Sequence, residues 1–411
     1  MGHLRKHPSF QALPHPDTIS EISCLENVRY FRQDSWQWDA LHAGRCTTSQ
    51  AAAALGLLEP QVGKALGIPR SLRRGGSGAY HRLRQTALRD LEEMNTTLCT
   101  GGSCLDRMES DEPVWIATRD NGSIGQPGRK LKPPHKFAAR YLPRMTKEEW
   151  KSRRSLMMNS YAEGSAAMSA RMHWGNTQEA TSILTALNYF WRENKDIVIK
   201  EVGMCGAGLM MNSTEQITEG DTSILLGATP DAIIHYPNGT LEVLEVKNHC
   251  PFVPAAWGRK LSLSKGEGNK AKNIFRIREL PIQAEVPAAY IPQLMMEMLS
   301  MGPQCRSAVM VRQTATTGAV ILRLHRDDQW ISEMLYWLNR FMSDFVHKSE
   351  LPPQNFFWNN TGCNGGGERY RSFISRTKKL SESVELIDFV SHGSIQRVVS
   401  ADQQHIPLFF D

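Results

Sequence analysis

A chain of 411 residues with 41% hydrophobic side chains can bury a sizeable core, which points to a globular protein of one large domain with extensions or two smaller ones. Lys and Arg number 48 against 42 Asp and Glu, a net charge of +6 that favours a polyanionic partner such as nucleic acid without proving one. The eight cysteines form no Cys-x-x-Cys pair and no apolar run approaches the ~20 residues of a membrane span, so a soluble, intracellular protein in a reducing compartment is expected, with no membrane partner.

Residues 1–30 read as an N-terminal extension and 31–350 as the main domain. A stretch rich in chain breakers at about 99–135 interrupts that domain and reads as a loop insertion. Helical patterning begins near Lys147. Over Asn176–Glu193 it puts Ile183, Leu184, Leu187, Phe190 and Trp191 on one face, with Asn176 or Thr177 as the cap. Strand-like runs follow at Ile224–Gly227, Ala232–Tyr236 and Thr240–Lys247, the last two joined as a hairpin by Pro237-Asn238-Gly239. A helix is expected over Pro292–Met301, strands over Ala308–Arg312 and Ala319–Leu324, and a helix around Trp330–His347. Beyond Leu351-Pro352-Pro353 the composition shifts, and 351–411 reads as a loosely attached C-terminal tail.

The chemistry concentrates on that hairpin. Pro230-Asp231 precedes one strand, and Glu245-Val246-Lys247 lies on the other. A three-residue Pro-Asn-Gly loop sets Asp231 opposite Glu245, whereas a two-residue Asn-Gly turn sets it opposite Val246. Side chains alternate along a strand, so Glu245 and Lys247 share a face. Two adjacent carboxylates repel unless a cation neutralises them, and hard cations such as Mg²⁺ or Mn²⁺ prefer oxygen ligands. Asp231 and Glu245 therefore make a metal seat, and Lys247 is placed to orient or activate a nucleophile, a set suited to phosphodiester hydrolysis.

Gly227-x-x-Pro230-Asp231, Leu244-Glu245-Val246-Lys247 and the trailing Cys250-Pro251-Phe252 resemble the signature of the YqaJ-type viral recombinase family, the λ-exonuclease-like branch of the PD-(D/E)XK nucleases. The resemblance extends to Trp174-Gly175 through Glu179, to Ala289-Tyr290-Ile291-Pro292-Gln293, and to Trp38-x-x-x-His42-x-Gly44-Arg45-x-Thr47-Thr48-Ser49. It implies an α/β fold with a restriction-endonuclease-like core, a central mixed β-sheet flanked by α-helices. It implies Glu179, Asp231, Glu245, Lys247 and Gln293 as catalytic residues. The metal ligands it implies are Asp231, Glu245, the Val246 backbone carbonyl and, through water, Glu179. His42 stands where the family has an arginine that anchors a terminal 5′-phosphate, so Arg45 is the expected substitute, with His42 and Ser49 beside it on the DNA.

The function so implied is Mg²⁺- or Mn²⁺-dependent 5′→3′ exonuclease action on double-stranded DNA ends, in recombination or repair. Some family members are trimeric, and a homo-oligomer and a single-strand annealing partner are the implied assemblies. Two basic stretches would track phosphates: Arg129–Arg154, and Arg259–Arg278 with Arg259, Lys260, Lys265, Lys270 and Lys272. A structure-selective or restriction-like endonuclease, and an inactive nuclease-fold DNA-binding module, are the alternatives.

Overall fold

The computed structural model describes residues 2–14, 29–33, 35, 38, 45–84, 166–205, 210–211, 224–254, 275–279, 281–359 and 366–395. The expected loop insertion, His42 and the basic residues Arg259, Lys260, Lys265, Lys270 and Lys272 lie outside them, as does Arg129–Arg154.

The elements, in chain order, begin with α1 (Gly2–Lys6), β1 (Phe10–Gln11), β2 (Arg45–Thr47), α2 (Thr48–Ala54) and α3 (Pro60–Ala65). Next come α4 (Ala166–Glu193), β3 (Val198–Lys200), β4 (Met210–Met211), β5 (Ile224–Gly227), β6 (Ala232–His235), β7 (Leu241–His249), β8 (Phe252–Pro254) and β9 (Phe275–Ile277). The last are α5 (Ile291–Met301), β10 (Cys305–Thr314), β11 (Gly318–His325), α6 (Asp328–Phe341), α7 (Gly366–Glu382) and β12 (Glu385–Ser391).

Seven strands form a mixed sheet in the order β1-β3-β6-β7-β10-β11-β12. β7 and β10 run parallel with α5 as the crossover, while β6–β7, β10–β11 and β11–β12 are antiparallel. The protein is thus mixed α/β, a central sheet flanked by helices. A buried β7 explains why its sequence Leu-Glu-Val-Leu-Glu-Val reads as nearly continuous apolar residues broken by glutamates. Leu244 and Val246 join the core formed with Ile183, Leu187 and Phe190 of α4, whereas Val243 joins the opposite core, with Leu294 and Met298 of α5 and Trp330 of α6.

The β6–β7 hairpin adopts the three-residue register. Ala232 faces Leu244 and His235 faces Leu241, so by continuation Asp231 comes opposite Glu245. Gly239 supplies the left-handed residue at φ +82°, and its N–H donates to the Tyr236 carbonyl at 3.0 Å.

Two expectations are corrected. Helix α4 begins at Ala166, so Asn176 and Thr177 lie inside it rather than at its cap, and the Thr177 hydroxyl donates back to the His173 carbonyl at 2.8 Å. The Ala-rich residues upstream are good helix formers and carry the helix through Gly175. Nor is the segment after 350 a loose tail over its described part. Phe356, Phe357, Tyr370, Phe373 and Ile374 are buried in the main core, and β12 pairs with β11. The Tyr370 hydroxyl donates to the Leu55 carbonyl at 2.7 Å, and Glu59 accepts from the backbone N–H groups of Asn355 and Gly76 at 2.8 and 2.6 Å. Residues 396–411 lie outside the described ones.

Candidate active site

Four separate segments meet around Glu245, which is 3% exposed. From β7 itself, the Lys247 ammonium donates to Glu245 Oε1. From α5, Gln293 Nε2 donates to the same oxygen at 2.6 Å and to Glu297 Oε1 at 2.9 Å. Before β6, Asp231 reaches across the hairpin, its Oδ2 accepting from the Val246 N–H at 2.7 Å. From α4, Glu179 lies within electrostatic reach of Glu245, Lys247 and Glu201. All five residues expected to be catalytic are therefore brought together.

The supporting loop is built from the opening motif. Trp38 Nε1 donates to Thr229 Oγ1 at 2.9 Å, bracing the turn just before Pro230-Asp231. Gly227 permits close packing there, because a Cβ would come within 2.8 Å of Met204 Sδ and 3.0 Å of Arg45 Cδ. Trp174 packs edge-on against Phe252, with ring centroids 5.4 Å apart, which joins the start of the Glu179 motif to the Cys250-Pro251-Phe252 tail of the hairpin motif.

Electrostatics mark a cluster of carboxyl groups that resist ionising together. Burial, then the charges of Glu245 and Glu179, holds the Asp231 carboxyl well above the usual aspartate range. Burial, then Glu245 and Glu201, raises Glu179. Burial alone would lower the Lys247 ammonium, but the carboxylates of Glu245 and Asp231 outweigh it and raise its pKa. The ammonium also lies 5.3 Å from the centroid of the Tyr290 ring, a cation–π contact.

Among the described residues no group of three or more His, Cys, Asp or Glu side chains is gathered closely enough to hold a metal ion. The donor chemistry nevertheless fits a hard divalent cation. The carboxylates supply only oxygen, and Glu245 Oε2 is buried without a hydrogen-bond partner.

Arg45, expected to grip a phosphate, is held inside the fold. It is 2% exposed, and its Nη1 donates inward to the Leu226 carbonyl at 3.2 Å, so it braces the β2–β5 pair. Ser49 is exposed at the start of α2, its hydroxyl 3.1 Å from that of Thr47. Sequence reasoning misses Glu297, which is fully buried and whose carboxyl is pushed well above the usual range by burial and then by Glu245. Its signal was present: a spacing of four from Gln293 on a helix puts both on one face. It also misses Arg312, which faces Lys247 across the β7–β10 pair and donates to the Gln283 and Glu285 carbonyls at 3.0 and 2.7 Å.

No protein-family model matches the chain, and neither the curated proteins nor the solved structures contain a match to it. Its functional reading therefore stands on the residues and their geometry.

Proposed function

We propose that this protein is a metal-dependent DNA nuclease with a restriction-endonuclease-like core, of the λ-exonuclease-like kind. The carrying observation is the convergence on Glu245 of Lys247, Gln293 and the Asp231 strand end, with Glu179 facing them. The run α4-β3-β6-β7-α5-β10, with β7 and β10 parallel and adjacent, supports the core assignment.

Asp231 and Glu245 would hold Mg²⁺ or Mn²⁺, with the Val246 carbonyl and a water-bridged Glu179 completing the set. The cation would supply Lewis-acid polarisation of the scissile phosphate and a lowered pKa for bound water. Lys247, kept charged by its carboxylate neighbours, orients the attacking water or the phosphate oxygen. Gln293 holds Glu245 in place. Water adds to phosphorus as the P–O bond to the leaving oxygen breaks, leaving one phosphate end and one hydroxyl end. The resemblance adds duplex ends as substrate, a ring-like trimer, an annealing partner and a role in recombination or repair to the same proposal.

The test is digestion of linear duplex DNA labelled at the 5′ or 3′ end, with and without a 5′-phosphate, in Mg²⁺ or in EDTA, beside a circular duplex. Mg²⁺-dependent loss of the linear duplex with 5′-phosphate preference supports the exonuclease. Nicking of the circle supports the endonuclease reading, which the inward-facing Arg45 favours because that residue is withdrawn from a terminal phosphate. Retained DNA binding without cleavage at any metal concentration would overturn both.

A further inference from the structure

We infer that Glu297 is a positioning residue of this site: its carboxyl oxygen fixes the Gln293 amide so that both Nε2 hydrogens point at carboxyl groups and the amide oxygen turns away from them. The inference rests on the nuclease reading and adds a residue to it.

Gln293 and Glu297 lie four apart on α5, on the face toward Glu245. The amide stands between Glu245 Oε1 at 2.6 Å and Glu297 Oε1 at 2.9 Å. Glu297 Oε1 accepts the amide N–H whether the carboxyl is ionised or carries its proton on the unpartnered Oε2, so an amide oxygen turned toward Glu245 Oε1 and Glu297 Oε1 would set acceptor against acceptor. Two carboxyl groups therefore dictate which end of the amide faces Glu245. With Glu297 gone, one carboxylate remains, and the terminal torsion of glutamine, which is broad, is free to swing the oxygen toward the site.

The position itself argues against a packing role. Glu297 is 0% exposed on a helix whose other buried positions include Leu294, Met295, Met296 and Met298. Its Oε2 has no hydrogen-bond partner, a cost that an apolar residue of similar length would remove. A residue that weakens the fold yet contacts the site's glutamine is explained by what it does to that glutamine.

The experiment compares the full chain with E297M and E297Q by thermal midpoint, by calorimetric Mn²⁺ binding without DNA, and by steady-state cleavage of a linear duplex. E297M should be at least as stable as the parent protein, while Mn²⁺ affinity and kcat each fall about 10- to 100-fold and KM for DNA holds. E297Q, whose amide oxygen accepts the same N–H, should restore most of both. Parental Mn²⁺ affinity and turnover in E297M overturn the inference, as does E297Q behaving like E297M. Hydrogen exchange at the Gln293 side chain, in ¹⁵N-glutamine-labelled protein with Q293A to identify the signal, is independent of activity. Both hydrogens should exchange slowly in the parent and in E297Q, and rapidly in E297M; fast exchange in the parent overturns the inference. If the parent protein neither cleaves DNA nor binds Mn²⁺, the nuclease reading falls, and this exchange result alone decides whether Glu297 holds Gln293.

Discussion

Glu242 and Glu245 lie three residues apart on β7 and are both buried, yet their partners differ. Glu242 accepts from the Tyr236 and Ser307 hydroxyls and twice from Arg323, so each of its oxygens is satisfied and its role is structural. Glu245 keeps one buried oxygen without a partner, beside carboxyl groups that resist ionising. The charge at Asp231 should accordingly be a burden on the metal-free fold. In D231N the side-chain oxygen still accepts from Val246, so its thermal midpoint should equal or exceed the parent's in EDTA, while cleavage falls on the order of 100- to 1,000-fold or more. Full activity in D231N, measured on linear duplex in Mg²⁺, would remove Asp231 from the site. Glu245 and Lys247 are legible in the sequence because strand alternation puts them on one face, and Pro237-Asn238-Gly239 favours the register that brings Asp231 opposite. Glu297 shares a helix face with Gln293 at a spacing of four, which is legible, but its burial beside Glu245 and the inward turn of Arg45 are not, since both depend on what a distant segment supplies.

At the scale of elements, the hairpin, α5, β10 and β11 follow from periodicity and turn chemistry, and they are the elements that carry or border the site. The C-terminal region is harder because Gly365-Gly366-Gly367 and the charged residues crowded into Glu368–Glu382 mask its pattern. Within α7, Tyr370, Phe373, Ile374 and Thr377 nevertheless recur at helical spacing and are buried. Trp330 Nε1 donates to Thr377 Oγ1 at 2.9 Å, and Arg376 pairs with Asp327, the N-cap of α6, at 2.8 Å. This end of the chain is therefore part of the core that supports α5. Y370F strips the buried Leu55 carbonyl of its donor and should cost about 1–3 kcal/mol, read from the shift of a urea midpoint. Deleting 351–411 should yield insoluble or unfolded protein, whereas a soluble, active truncation would restore the tail reading.

At the proposed metal seat, protonation and cation binding would compete, and the competition reaches the stability of the whole molecule. Glu179, Asp231 and Glu297 have carboxyl pKa values raised in the folded state, so the stability they confer is full below their unfolded values and is lost as pH rises through the folded ones. His235 and His249 run the other way, each lowered to about 4, by burial first and then by Lys200 and Arg312 respectively. Their contribution is present above the unfolded value of 6.5 and is lost as pH falls toward 4. The metal-free protein should thus weaken on its acid limb through the histidines and, as pH rises above the ordinary carboxyl range, through the carboxyl cluster. A divalent cation bound at the proposed seat would relieve only the latter, because its binding would displace the protons that the cluster retains at low pH. Mg²⁺ should therefore raise the thermal midpoint clearly near pH 8 and little near pH 5, while H235Q makes the acid limb shallower and leaves the Mg²⁺ effect intact. An Mg²⁺ shift equal at both pH values, or one undiminished in D231N, would mean that the cation binds elsewhere than at this cluster.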